Sequence, residues 1–168
     1  IGEYGCKAIS RALCVNNSLT DLNLASNRIG ITGCKELMNA LQTNNKSLLK
    51  LNLQRNDIGD EGFLELVPFL FVNTTLTHLD LKRNQLGKEA CVRLSDAIRA
   101  NQSTGLCNVD LGFNRVGNEG CIAFFHALRE NATITNLNLE SNNIGDEGYI
   151  ALCEALKENA TITDLNLE

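Results

Sequence analysis

Seven cysteines and two histidines are the side chains through which this chain could carry nucleophilic, redox or metal chemistry. The thiols are Cys6, Cys14, Cys34, Cys91, Cys107, Cys121 and Cys153. None stands in a Cys-x-x-Cys or Cys-x-x-His spacing, so a zinc site closed by local ligand pairs is not expected. An odd count without such spacing reads as reduced, mostly buried cysteine in a reducing compartment. His78 lies in an alternating apolar run and His126 in a helical one, so the two share neither a metal nor a proton relay. Asp60-Glu61 and Asp146-Glu147 resemble paired acids, but each opens a helical run, where carboxylates complement the helix dipole. With no Ser-His-Asp or Cys-His arrangement and no glycine-rich phosphate loop, no catalytic, metal-binding or cofactor-binding residue is expected, and no cofactor.

Six Asn-x-Ser/Thr sequons, beginning at Asn16, Asn45, Asn73, Asn101, Asn131 and Asn159, would accept glycans in a secretory setting. They recur at one phase, just after each helical run. Asn suits a left-handed helix cap there, and Ser or Thr suits the following turn. Repeat geometry is therefore the expected reason for them.

That phase belongs to a repeat. The segments LTDLNLASNRIG, LLKLNLQRNDIG, LTHLDLKRNQLG, LCNVDLGFNRVG and ITNLNLESNNIG begin at Leu19, Leu48, Leu76, Leu106 and Ile134, and ITDLNLE begins at Ile162. Units start 28 to 30 residues apart. Each opens with Leu-x-x-Leu-x-Leu, the alternation of a short strand with one apolar face. Apolar residues at helical spacing follow; in the last full unit these are Ile150, Leu152 or Cys153, and Leu156. Asn27, Asn56, Asn84, Asn114 and Asn142 sit where the chain leaves the strand, and a stacked column of their amides can satisfy the buried backbone of the turn. Cys6, Cys34, Cys91 and Cys121 share one helical column with Phe63 and Tyr149, which marks a packing position. A single unit cannot hide its apolar face; stacked units form a continuous core.

The pattern L-x-x-L-x-L-x-x-N-x-[ILV]-G, followed by its helical half, resembles the leucine-rich repeat of the ribonuclease-inhibitor type. It runs through the whole chain. The resemblance implies an α/β solenoid, a horseshoe arc of repeats of about 28 residues, with parallel β-strands on the concave face and α-helices on the convex face. It divides a single domain, 1–168, into a partial repeat 1–18, repeats 19–47, 48–75, 76–105, 106–133 and 134–161, and a partial repeat 162–168. The chain lacks the paired-cysteine cap of extracellular leucine-rich repeats and begins and ends inside repeats, so it reads as part of a longer protein. Repeats of this class occur in NOD-like receptors, in Ran GTPase-activating proteins and in ciliary and cytoskeletal proteins. The resemblance implies a protein-binding scaffold and does not choose among these.

The non-repeating chemistry lies between the buried leucines, on the side chains aimed at the concave face. Asp21, Lys50, Gln54, His78, Asp80, Lys82, Asn108, Asp110, Asn136 and Glu140 are the candidates there. The middle column, Asn23, Asn52, Asp80, Asp110, Asn138 and Asn166, could support itself as a polar ladder. Arg28, Arg55, Arg83 and Arg115 follow the strands on one rim beside Phe113; Arg55, Arg83, Arg115 and Phe113 complete the set of rim contacts. A second candidate is convex. In the helical run near 60–72, Pro68 should kink or tighten the helix, Phe69 replaces a small residue and should hold the helix away from the sheet, and Phe71 and Val72 stand where other units are mostly polar.

Composition fits this reading. Of 168 residues, 43% are hydrophobic and 21% charged, with one proline. No apolar run reaches the roughly 20 residues of a membrane helix, and the first residues lack a secretion signal. A net charge of −5 argues against nucleic acid or an anionic membrane as partner. Charge also varies along the arc: 76–105 carries five cations against three anions, and 134–168 one against seven. A partner lying along the arc would be oriented by that difference. The expectation is a non-enzymatic cytoplasmic scaffold or ligand-sensing domain, resembling the repeat region of NOD-like receptors, that binds a protein partner through its concave face and rim, with a cilium or the cytoskeleton as further settings; the sequence sets no oligomeric state. Its rivals are a GTPase activator of the Ran-activating kind and a structural part of a ciliary or cytoskeletal assembly.

Overall fold

The structure, a computed structural model, describes residues 1–43, 46–101 and 103–168. Six helices alternate with six short strands: α1 (Gly2–Leu13), β1 (Asp21–Asn23), α2 (Gly30–Thr43), β2 (Lys50–Asn52), α3 (Gly59–Val72), β3 (His78–Asp80), α4 (Lys88–Ala100), β4 (Asn108–Asp110), α5 (Gly117–Glu130), β5 (Asn136–Asn138), α6 (Asp146–Glu158) and β6 (Asp164–Asn166). The strands form one parallel sheet in the order β1-β2-β3-β4-β5-β6. Register follows the repeat, so Leu22, Leu51, Leu79, Val109, Leu137 and Leu165 are successive partners. Helices pack at about 8–10 Å and strands at about 4.8 Å, so the stack curves with the sheet on its inner side.

The core is the layer between sheet and helices. Strand leucines such as Leu53, Leu81 and Leu111 meet helix residues Leu37, Leu66, Leu94 and Phe124, all buried. In α6 the expected apolar positions divide. Leu152 is buried, whereas Ile150, Cys153 and Leu156 are exposed. Their α5 counterparts Phe125 and Leu128 are buried because α6 lies over them; among the described residues no helix packs on the far side of α6.

The Asn column works as the repeat requires. Asn84 is fully buried; its Nδ2 donates to the carbonyls of Leu53 (2.8 Å) and Leu81 (3.1 Å), and its Oδ1 accepts from the Asn56 N–H (2.8 Å). Asn56, Asn114 and Asn142 likewise donate to the strand of the preceding repeat.

One expectation changes. The Asn that follows α3, α4, α5 and α6 does not take the left-handed cap. Asn73, Asn131 and Asn159 are extended, with φ near −77° and ψ near 127°. Each Oδ1 instead accepts the N–H groups two and three residues on, and the Asn159 Nδ2 donates to Leu128 and Asn131 carbonyls of the preceding repeat. The sequon asparagine thus builds the return turn and ties it sideways. Asn45, and Gln102 of the Asn101 sequon, lie outside the described residues. Pro68 lies within α3, which continues from Gly59 to Val72, with the ring exposed and Phe69 buried in the core.

Candidate functional site

The six strands present one open trough of about 650 Å³ on the concave face. Asp21, Lys50, His78, Asp80, Asn108, Asp110 and Asn136 line it. Two contacts organise its middle. His78 Nδ1 lies 2.8 Å from the Thr77 hydroxyl, which donates to the Leu49 carbonyl, and His78 Nε2 lies 3.0 Å from the Asn108 amide nitrogen. This pattern fits a neutral ring protonated on Nδ1, accepting at Nε2. Lys82 reaches across a whole repeat to Glu140 (3.0 Å), over Gly112, which has no side chain to block it. Neither the Lys82–Glu140 pair nor the part played by Thr77 is visible in sequence; a glycine at the intervening unit is the one signal for the first.

The middle column is not a ladder between repeats. Each Asn or Asp Oδ1 accepts the N–H two residues on, as Asn52 does from Gln54 and Asp80 from Lys82, both at 2.9 Å. The column ends strands locally, and the described cross-repeat bond is Asn138 Nδ2 to Asp110 Oδ2 at 3.1 Å.

On the rim the chain turns through left-handed backbone twice in most repeats. Arg55, Arg83 and Phe113 hold one such position, at φ 54°, 57° and 54°, and Arg28, Asp57 and Gln85 the other, at 51°, 53° and 61°. Non-glycine residues enter this region at about 1 kcal/mol each. Arg83 stacks on Phe113 with its guanidinium carbon 3.9 Å from the ring centre. Gln54, Arg55 and Arg115 lie on the same side. Phe71 and Val72 are on the opposite, convex surface, 38% and 67% exposed, so Phe71 is covered over more than half its area.

Comparison with known proteins adds the family. The Leucine Rich repeat family matches at residues 15–38, 44–67, 72–95, 108–125 and 130–153, most of the chain. The chain belongs to the leucine-rich repeat family. It is 37% identical to mouse (Mus musculus) NACHT, LRR and PYD domains-containing protein 14 over 110 residues, 64% of this chain and 11% of that protein. It is 33% identical to the ribonuclease inhibitor of Sus scrofa over 89 residues, 53% of this chain and 20% of that protein. It therefore spans only a small part of these curated relatives. Leiomodin-1 Actin-Binding Site 2 (ABS2) shares the fold at a TM-score of 0.72 and 22% identity, covering 78% of this chain and 76% of that one. Among the described residues no group of three or more His, Cys, Asp or Glu could hold a metal, and no helix is long and apolar enough to cross a membrane.

Within the leucine-rich repeat frame, Asp80 is an anomaly. It stands in a column that other repeats fill with Asn23, Asn52, Asn138 and Asn166, and Asp110 is its paired neighbour on β4. Burial raises the Asp80 carboxyl above the ordinary aspartate value, and repulsion from Asp110 adds to this, against the lowering effect of the Lys82 N–H and ammonium. A raised carboxyl binds its proton more tightly in the folded state, so stability falls as pH rises through that range. Asp80→Asn keeps the turn acceptor and is expected to raise the urea midpoint at pH 7, with the gain vanishing below the aspartate range. Urea unfolding at neutral and acid pH checks this; an equal gain at both would remove the charge explanation.

The thiols divide more sharply than expected. Cys6, Cys34, Cys91 and Cys121 are buried, Cys14 and Cys107 half-buried, and Cys153 is exposed; all are free. Burial pushes the Cys6 thiol up to about 11, Cys34 and Cys121 up to about 12, and Cys91 upward as well. The thiolate is the reactive form. In the native protein, Cys153 is expected to label with a maleimide first and the four column thiols only after denaturant is added. Rapid native labelling of the column, read by peptide mass, would contradict its packing role.

Proposed function

We propose that this leucine-rich repeat arc is a non-catalytic scaffold that holds a protein partner against its concave face and rim. The observation that carries the reading is the trough itself. Its lining changes from repeat to repeat while the structural Asn and leucine columns do not, and such variation on a rigid frame is how repeat proteins distinguish partners. A cytoplasmic setting accords with free, buried thiols. Photo-crosslinking side chains placed at 78 and 136 are expected to capture a discrete partner in cell extract, and one at 126 on the convex surface is not. The reverse pattern would move the binding face to the helices. A purified GTPase panel is expected to show unchanged GTP turnover; acceleration would favour the activator reading.

A second reading, a part of a cytoskeletal assembly, rests on the likeness to the leiomodin-1 actin-binding site and on Phe71 and Val72. The column of Phe71 is filled by Gln42, Arg99, Arg129 and Lys157 elsewhere, all suited to solvent. Cosedimentation with actin filaments, abolished by Phe71→Lys without loss of fold, would support it; absence of cosedimentation would leave the concave-face reading.

A further inference from the structure

Seven of the fifteen lysines and arginines of this chain form a salt bridge with a carboxylate among the described residues. They are Lys7, Lys50, Lys82, Lys88, Arg93, Arg129 and Lys157. Arg28, Arg55, Arg83 and Arg115 have none within 4.0 Å among the described residues, and all four lie on one rim in successive repeats. The carboxylate nearest in sequence, Asp57, accepts the Gln85 amide at 3.1 Å. Two open hollows of about 490 and 410 Å³ run along this rim and share Arg83 as a common wall.

Two costs are built into the row. Arg28, Arg55 and Arg83 stand at positive φ, where Asn or Gly would sit with less strain. Arg55 and Arg83 hold the same turn position in adjacent repeats, whose strands lie about 5 Å apart, so their guanidiniums repel one another. The repulsion between these cations is what an anionic ligand relieves. The stacking of Arg83 on Phe113 presets one guanidinium of the row.

We propose that this rim is the docking site for an acidic, extended segment of a partner protein, whose Asp and Glu carboxylates pair with Arg28, Arg55, Arg83 and Arg115. The inference rests on the scaffold reading above and adds the chemistry of the partner. Planar guanidiniums take carboxylates in two-point contact. A polypeptide fits better than nucleic acid: the cations form a single row on a chain of net charge −5, and the one aromatic ring beside them is already covered by Arg83.

The test uses the whole chain and a labelled glutamate–serine repeat peptide, followed by fluorescence anisotropy. Binding is expected at low salt and weakens as salt rises. Arg55→Asn and Arg83→Asn are each expected to weaken it about fivefold and together about twentyfold. The melting temperature should stay level or rise, because Asn enters positive φ more easily than Arg. Unchanged peptide affinity in the double variant overturns the proposal, and so does a fall in melting temperature. Tighter binding of single-stranded oligonucleotide or phosphatidylserine vesicles, with the same arginine dependence, assigns the rim to those ligands and overturns it too. His126→Ala on the convex surface should leave peptide binding unchanged. If His78→Ala abolishes it while the arginine variants do not, the rim proposal fails and the concave-face reading stands; if crosslinking at 78 fails while the arginine dependence holds, only the concave-face reading falls.

Discussion

Asn84→Ala is expected to destabilise the protein by about 2–3 kcal/mol, because it strands one buried backbone N–H and removes one of two donors from each of two buried carbonyls. The Asn56 N–H loses its acceptor, while the Leu53 and Leu81 carbonyls keep only the Asn56 and Asn114 amides as donors, in a turn from which water is excluded. Asn27 supplies the internal control. It makes the same kind of bonds, to the Leu24 and Ala25 carbonyls at 3.0 Å, but is only partly buried, so water can replace it. Asn27→Ala should cost about 1 kcal/mol. Urea unfolding of both variants decides the matter: equal costs would mean that the buried column contributes no more than an exposed turn.

Phe124→Ala is expected to cost about 3–5 kcal/mol, from lost transfer free energy and an unfilled cavity. The ring is fully buried, in a column occupied elsewhere by Leu37, Leu66, Leu94 and Leu152. The same site in those repeats accommodates leucine, so Phe124→Leu should cost less than about 1.5 kcal/mol. A loss below about 1 kcal/mol for Phe124→Ala would mean that α5 collapses onto β4 and that the column is not close-packed.

The fold was legible because its signals are periodic. Five Leu-x-Leu pairs and one Val-x-Leu, five asparagines and four cysteines at one phase each fix a strand, a turn or a helix face, and the strands pair in the register they imply. The candidate site was legible only as a set of side chains on one face. The Lys82–Glu140 pair depends on the empty place at Gly112, and the His78–Asn108 contact on ring orientation. The left-handed backbone at Arg28, Arg55 and Arg83 was hidden because no glycine marks it. Local helix-cap preference misassigned the sequon asparagines: the neighbouring repeat offers carbonyls at Leu70, Asn73, Leu128 and Asn131 that an extended Asn can reach.

The strictly sequential sheet order has a mechanical meaning. Apart from the Lys82–Glu140 ion pair, each repeat packs on the one before and the one after, and the two ends of the described chain sit at opposite ends of the stack. Tension applied to the ends therefore cannot load all the strands together. It peels the arc one repeat at a time, each detachment breaking one asparagine rung and one strand pairing and releasing roughly 95 Å of extended chain. The molecule would yield under pull as a row of small, similar latches, lengthening stepwise while the remaining repeats keep their shape.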